Sequence, residues 1–174
     1  AELGVDFQGI EVESVAAEGD RYSCGDLSLE ILEVPGHSSC SIAVYVEELK
    51  AMFTSDSGGI PFGDKVFTAA NSNFDKYMQS LEKITGYDVN VVLAEHYGAR
   101  TRGDARNFLK KAEESAVETR KFLETSYART GDVGKSTEEV TEMLMSQAPA
   151  GFMPKEVVAI VTGQMLKQIA RKQG

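Results

Sequence analysis

Histidine is scarce in this sequence: among 174 residues there are two, His37 and His96. No site that needs three imidazoles can be built from this chain alone. Cysteine is equally rare, and Cys24 and Cys40 lack the spacing of a zinc knuckle or a redox pair. They read as inert thiols of a reducing compartment, which makes the cytoplasm the expected location. Positive charge is in deficit, with 18 basic against 27 acidic residues and a net charge of -9. A protein that repels polyanions as a whole excludes nucleic acid as an expected partner. No apolar run approaches the roughly 20 residues that cross a bilayer, and the basic-then-apolar plan of a signal peptide is missing, so no membrane partner is expected. A signal peptide already removed would leave no trace. The chain starts at Ala1, consistent with a tag scar, processing or loss of an upstream segment.

Hydrophobic residues make up 42% of the chain, enough for a core. Ile10, Val12 and Val15 suggest a short strand from Gly9 to Val15, with turns at Gly19-Asp20 and Gly25-Asp26. Leu27, Leu29, Ile31 and Val34 alternate as a half-buried strand does, and Ile42, Val44 and Val46 repeat the pattern. Between them lies Val34-Pro35-Gly36-His37-Ser38-Ser39-Cys40-Ser41, where a fixed φ beside a permissive glycine forces a tight turn. Glu47 to Lys50 reads as a hairpin connection and Ala51 to Thr54 as another strand. It ends at Ser55-Asp56-Ser57-Gly58-Gly59, and a loop without period continues through Pro61, Gly63 and Asp64 to about Asn71.

Phe74, Tyr77, Met78, Leu81 and Ile84 recur at spacings of three and four, predicting a helix over 73–85 stopped by Gly86. Val89 to Ala94 reads as a buried strand leading to Glu95-His96-Tyr97-Gly98. Beyond Gly103 the pattern is helical: a long helix capped by Asp104, a break at Gly131 to Gly134, and a helix opened by a Ser136/Glu139 capping box and stopped by Pro149. A last helix follows Pro154, with Val157, Val161, Met165 and Ile169 as its stripe. The expected fold class is therefore α/β, divided into a strand-rich part over 1–103 and a helical segment over 104–174 that packs on it.

Three strand ends thus carry His37, Asp56 and His96, separated by 19 and 40 residues. Imidazole and carboxylate ligate zinc and iron, and strand edges can bring distant ligands together. Taken singly, a histidine in a turn is more often a hydrogen-bonding surface group, and an aspartate before Ser-Gly-Gly a turn former. A basic cluster of Arg100, Arg102, Arg106, Lys110 and Lys111 reads as a solvated face, or as attraction for an anionic ligand if it lines a cleft. Tyr97, Tyr45 and Asp64 are further ligand contacts to consider, although packing or solvation accounts for each of them better.

The segment Leu29 to Tyr45, with Val-Pro-Gly-His-Ser-Ser-Cys-Ser inside it, resembles the third metal motif of the metallo-β-lactamase superfamily, a Thr-Pro-Gly-His followed by small residues. Phe53-Thr54-Ser55-Asp56 resembles that superfamily's Phe-Thr-Gly-Asp motif, and Val92 to Gly98 its last histidine motif. Order and spacing agree, over about residues 9–115. The resemblance implies the C-terminal half of an αββα sandwich followed by helices. It also implies that His37 ligates one metal, Asp56 bridges two, and His96 ligates the second. Zinc is the implied cofactor, two ions in the complete protein, with iron as the alternative. A metal-bound hydroxide would be the nucleophile on an ester, thioester, lactone or amide of a small-molecule substrate; no residue is assigned a catalytic role of its own.

The family's His-X-His-X-Asp-His motif is missing, and two histidines cannot supply it. The chain is therefore expected to be a fragment, inactive alone, whose partner is a missing N-terminal half, a second chain or a symmetric copy. Two other functions stay open. One is iron-dependent oxygen or diiron redox chemistry, because two histidines and a carboxylate match a facial triad. The other is a non-catalytic binding or assembly module that kept the fold.

Overall fold

The structure, a computed structural model, describes Gly9 and residues 11–173. Six strands form one sheet in the order β1-β2-β3-β4-β7-β8: β1 (Arg21–Cys24), β2 (Leu27–Glu33), β3 (Ile42–Val46), β4 (Ala51–Phe53), β7 (Val91–Leu93) and β8 (Ala99–Thr101). A separate hairpin joins β5 (Ile60–Phe62) to β6 (Lys65–Phe67). The helices are α1 (Phe74–Thr85), α2 (Gly103–Thr130), α3 (Val133–Gln147) and α4 (Lys155–Gln173). None described is long and apolar enough to cross a membrane.

Strand direction positions the site. β2 and β4 both run antiparallel to β3, and β7 runs parallel to β4. Hence β2, β4 and β7 point the same way, and the loops that follow them leave from one rim of the sheet.

The two faces of this sheet differ. Leu32, Ala43, Tyr45, Met52 and Val92 point to one side and merge with Tyr77, Leu81 and Ile84 of α1 and with buried residues of α2, α3 and α4 in a single core. The other face is also apolar. There Leu29 pairs with Val46, Ile31 with Val44, Val44 with Phe53, and Phe53 with Leu93. None of these belongs to the helix-backed core; Ile31 and Val46 are buried all the same, whereas Phe53 and Ile42 are 46% and 38% exposed, so the face is partly uncovered. Alternation should have put polar residues on a solvated face.

Several expectations need correction. Residues 11–15 are not a strand: Val12 and Val15 are 74% and 83% exposed, since no partner strand runs beside them, and Ile10 lies outside the described residues. The edge is formed instead by β1, every residue of which is exposed. Its pairing, closed by a two-residue turn at Gly25-Asp26, replaces any hydrophobic signal. The aperiodic stretch after Gly59 holds the β5–β6 hairpin, turned at Gly63 with φ +58°.

Asp104 lies in the first turn of α2, where its charge suits the helix dipole, while Arg102 occupies the cap position. Asp132, not Ser136, caps α3 by accepting from the Lys135 backbone N–H at 2.9 Å. Ser136 is buried with its hydroxyl 2.6 Å from that of Thr130, and Glu139 accepts from Ser126 and Arg129. On α4, Val157 turns out to solvent and the neighbouring Val158 is buried with Val161, Met165, Leu166 and Ile169.

Asp75 of α1 ties three helices together through ion pairs to Lys172 of α4 and, at 2.8 Å, to Arg120 of α2. The Lys172 ammonium and the Arg120 guanidinium hold its carboxyl below the usual aspartate range. A depressed folded-state pKa stabilises the fold above the ordinary aspartate range and stops doing so as pH falls through the depressed value. Because the pair is partly exposed, Asp75→Asn should cost at most about 1 kcal/mol at pH 7 in urea unfolding. The difference should fade in acid; a difference independent of pH would contradict the assignment.

Candidate metal centre

Each of the three side chains stands where a co-directional strand releases the chain. His37 follows β2, Asp56 sits in the 3-10 turn Ser55–Gly58 after β4, and His96 follows β7. The structure brings them together. His37 Nε2 lies 3.6 Å from Asp56 Oδ2, and His96 Nε2 lies 3.5 Å from Asp56 Oδ1. The Asp56 side chain is the most enclosed, 14% exposed against 25% and 49% for the two imidazoles.

Backbone contacts fix the His37 loop. The Gly36 carbonyl accepts from the N–H groups of Ser72 and Asn73 at 2.9 and 3.0 Å, just before α1. The hydroxyl of Ser80 donates to the Pro35 carbonyl and that of Ser57 to the Val34 carbonyl, each at 2.8 Å. The loop is thus clamped from α1 on one side and from the Asp56 turn on the other. Gln168 of α4 holds the segment behind it, donating to the carbonyls of Ala70 and Asn71 and accepting from the Phe74 N–H.

The imidazole of His37 has one protonation pattern that satisfies its surroundings. Nδ1 lies 3.0 Å from the Ala69 carbonyl, which can only accept, so Nδ1 carries the proton. In the neutral ring, Nε2 then presents a lone pair to a carboxylate oxygen. That arrangement is repulsive unless a cation or a second proton lies between them, and it is the tautomer that metal-ligating histidines adopt.

Asp56 shows the same unmet demand. Its Oδ1 is buried and has no hydrogen-bond partner. Burial raises its pKa above the ordinary value, while the nearby imidazoles of His96 and His37 oppose the rise and Glu95 adds to it. Two ligand atoms about 2.0–2.1 Å from one tetrahedral ion stand roughly 3.4 Å apart. The two N···O separations are close to that, so this donor set fits metal. Each Asp56 oxygen faces a different imidazole, so the donors fall into two pairs, and no group of three or more converges to hold an ion among the described residues.

Residues beside the ligand positions adopt costly backbone angles. Ser55 has φ +50° and Tyr97 φ +63°, in the left-handed region that glycine favours. Ser55 stands where the resembled motif has glycine, so the geometry persists although the residue type does not. The basic cluster does not gather round the site. Arg100 donates to the carbonyls of Tyr97 and Ala99, Arg106 donates to Asn90, and Lys110 pairs with Glu114. Tyr45 is buried and donates to the Asp88 carbonyl, and Asp64 lies in the β5–β6 turn. The Ala69 carbonyl escaped sequence reasoning because a backbone acceptor carries no residue signal. The nearest hint was Asn73, whose side chain starts α1 by accepting from the Lys76 N–H.

This arrangement, a mixed sheet backed on one face by helices with its acid and imidazoles on one rim, is the metallo-β-lactamase fold. Over 91% of its length the chain superposes on a metallo-beta-lactamase family protein from Thermus thermophilus, at a TM-score of 0.62 and 20% identity, covering 49% of that protein. It matches a beta-lactamase domain protein from Burkholderia ambifaria over 91% of its length and 47% of that chain, at 0.64 and 14%. A stereoselective inverting sec-alkylsulfatase from Pseudomonas sp. matches over the same 91%, at 0.55 and 13%, with 26% of that protein covered. No curated protein matches the sequence. The family model for the metallo-beta-lactamase superfamily matches residues 5–96, more than half of the chain. The chain belongs to that superfamily, and it spans about half the length, or less, of these solved relatives.

Gly36 sets how closely the His37 loop approaches α1. Its φ is +133°, and a Cβ built there would lie 2.4 Å from the Tyr77 backbone. Gly36→Ala should destabilise by about 2–4 kcal/mol in urea unfolding. Gly63→Ala, at φ +58° with nothing within 4 Å, should cost only about 1 kcal/mol. Equal losses would show that contact with α1 is not what selects glycine at 36.

Proposed function

We propose that this chain is part of a metal-dependent hydrolase acting on an ester, thioester, lactone or amide, with His37, Asp56 and His96 as metal ligands. Superfamily membership supports the metal-dependent hydrolase class. The observation that carries the residue assignment is the pair of contacts that set His37 Nε2 and His96 Nε2 against opposite oxygens of a largely enclosed Asp56. One carboxylate facing two imidazoles suits a bridge between two ions better than a facial triad on one. Bound there, zinc would supply Lewis acidity and lower the pKa of water from about 15.7 toward 7.

The chain's own residues do the holding. The Ala69 carbonyl keeps the Nε2 of His37 free of its proton, the clamp from α1 fixes the ring, and burial keeps Asp56 from being satisfied by solvent. The remaining ligands, and the layer that covers the apolar sheet face, would come from protein beyond these 174 residues. Three observations support that reading: donors gathered only in pairs where an ion needs three or four, the partly uncovered face, and the half-length coverage of the relatives. Two exposed free thiols, Cys24 and Cys40, suit a reducing cytoplasm.

A non-catalytic module is the second reading, favoured by the incomplete donor set. Hydrolysis of nitrophenyl esters, thioesters, lactones and β-lactams, measured with zinc and the longer protein that contains this chain, decides between them. Turnover should fall at least about a hundredfold in Asp56→Ala. Unchanged turnover in that variant, or iron content with oxygen uptake and no hydrolysis, would contradict the proposal. The covering layer has its own test: the isolated chain should self-associate in sedimentation velocity, and Ile42→Glu with Phe53→Glu should shift it toward monomer. A monomeric parent chain would count against an uncovered face.

A further inference from the structure

A cavity of about 310 Å³ lies away from the metal centre, between the β5–β6 hairpin and helices α2, α3 and α4. Its polarity is graded. Val66, Phe67 and Met165 are buried in its wall, with Leu144 and Met143 half-buried beside them. The charged and amide side chains of the lining, Lys65, Glu118 and Gln147, are all exposed and mark where it opens to water. The inner hydroxyls are already engaged. Thr68 bonds Thr119 at 3.3 Å, and Ser115 accepts from the Val66 N–H. An occupant therefore meets an apolar interior and a polar mouth.

We propose that this cavity binds a single acyl or alkyl chain of about ten carbons, with its polar head at Lys65 and Gln147. Size sets the length: a cavity of about 150 Å³ holds benzene, so one of about twice that volume takes roughly ten heavy atoms. The same size excludes a docking helix, which is about 10 Å across. The two methionines make the wall adaptable, because an unbranched thioether side chain can refit chains of different shape. Lys65 is paired only loosely, at 3.9 Å from Glu118, so it is available to a carboxylate or carbonyl head.

An aromatic bridge links the cavity to the metal rim. Phe62 and Phe67 line the cavity, and both pack against Phe152 with centroids 4.7 and 5.5 Å away. Phe152 in turn stacks on Tyr97, whose hydroxyl donates to the Phe152 carbonyl and which directly follows His96. The chain held in the cavity is therefore either the tail of a substrate or a separate lipid ligand, and the two share one chemistry at this wall.

Calorimetric titration of the 174-residue protein with decanoate, in EDTA, tests the site independently of the metal. Saturable one-to-one binding is expected, with butyrate at least about tenfold weaker. Leu144→Trp, which places an indole in the cavity, should weaken decanoate at least about tenfold. Ile160→Trp, exposed on α4, and Phe53→Glu, on the apolar sheet face, should leave it unchanged. Lys65→Glu, a surface change that does not threaten folding, should weaken decanoate but not decanol. No decanoate binding by folded protein would overturn the proposal, as would equal binding of butyrate or equal effects of Leu144→Trp and Ile160→Trp. In the hydrolytically competent protein, a preference for nitrophenyl decanoate over butyrate that Leu144→Trp abolishes assigns the chain to the substrate. Decanoate binding without that preference assigns it to a separate lipid; both support the site.

Discussion

The hydrogen bond from His37 Nδ1 to the Ala69 carbonyl is the constraint on which the site's chemistry depends. It costs nothing in residue identity, since any residue at 69 offers a carbonyl, yet it fixes which nitrogen of His37 is free. The carbonyl must itself be held in place. Asn73 caps α1, Gln168 anchors the preceding residues to α4, and Gly36 lets the His37 loop approach the backbone of α1. Helix α4 therefore reaches the rim that carries His37, Asp56 and His96 through the hydrogen bonds of Gln168.

Asp56 shows the cost that accompanies such a site. A carboxylate with a buried, unpartnered oxygen and a pKa raised by burial destabilises the fold when it is charged. Ser55 and Tyr97 add backbone strain on either side of the rim. The unpartnered carboxylate oxygen of Asp56, at the rim where three co-directional strands end, is what a bound cation would relieve.

Much of the fold was legible in the sequence, and the misses share a cause. Strands β2, β3 and β4 and helix α1 carry strong apolar periodicity, because each must bury one face against the core. β1 and the β5–β6 hairpin do not: Arg21–Cys24 is wholly exposed, and Ile60–Phe62 contains a proline, so both exist through pairing with a neighbour. Ser136 and Glu139 had the spacing of a cap but are drawn into contacts with Thr130, Ser126 and Arg129. Tertiary partners had overridden a local signal. The grouping of His37, Asp56 and His96 was readable from strand-end placement and motif resemblance. The tautomer, the two donor pairs and the apolar second face were not, because they depend on which carbonyl, oxygen or sheet face lies opposite.

Long-range proton–nitrogen NMR of the 15N-histidine protein reads the protonation and the ligation of both imidazoles directly. Before zinc, His37 should show the form protonated on Nδ1. On titration with zinc, the Nε2 resonances of His37 and His96 should shift together as each becomes a ligand, and Asp56→Ala should weaken both shifts. A His37 protonated on Nε2 in the neutral ring, or zinc that leaves both rings unmoved in the protein with its covering layer present, would contradict the account.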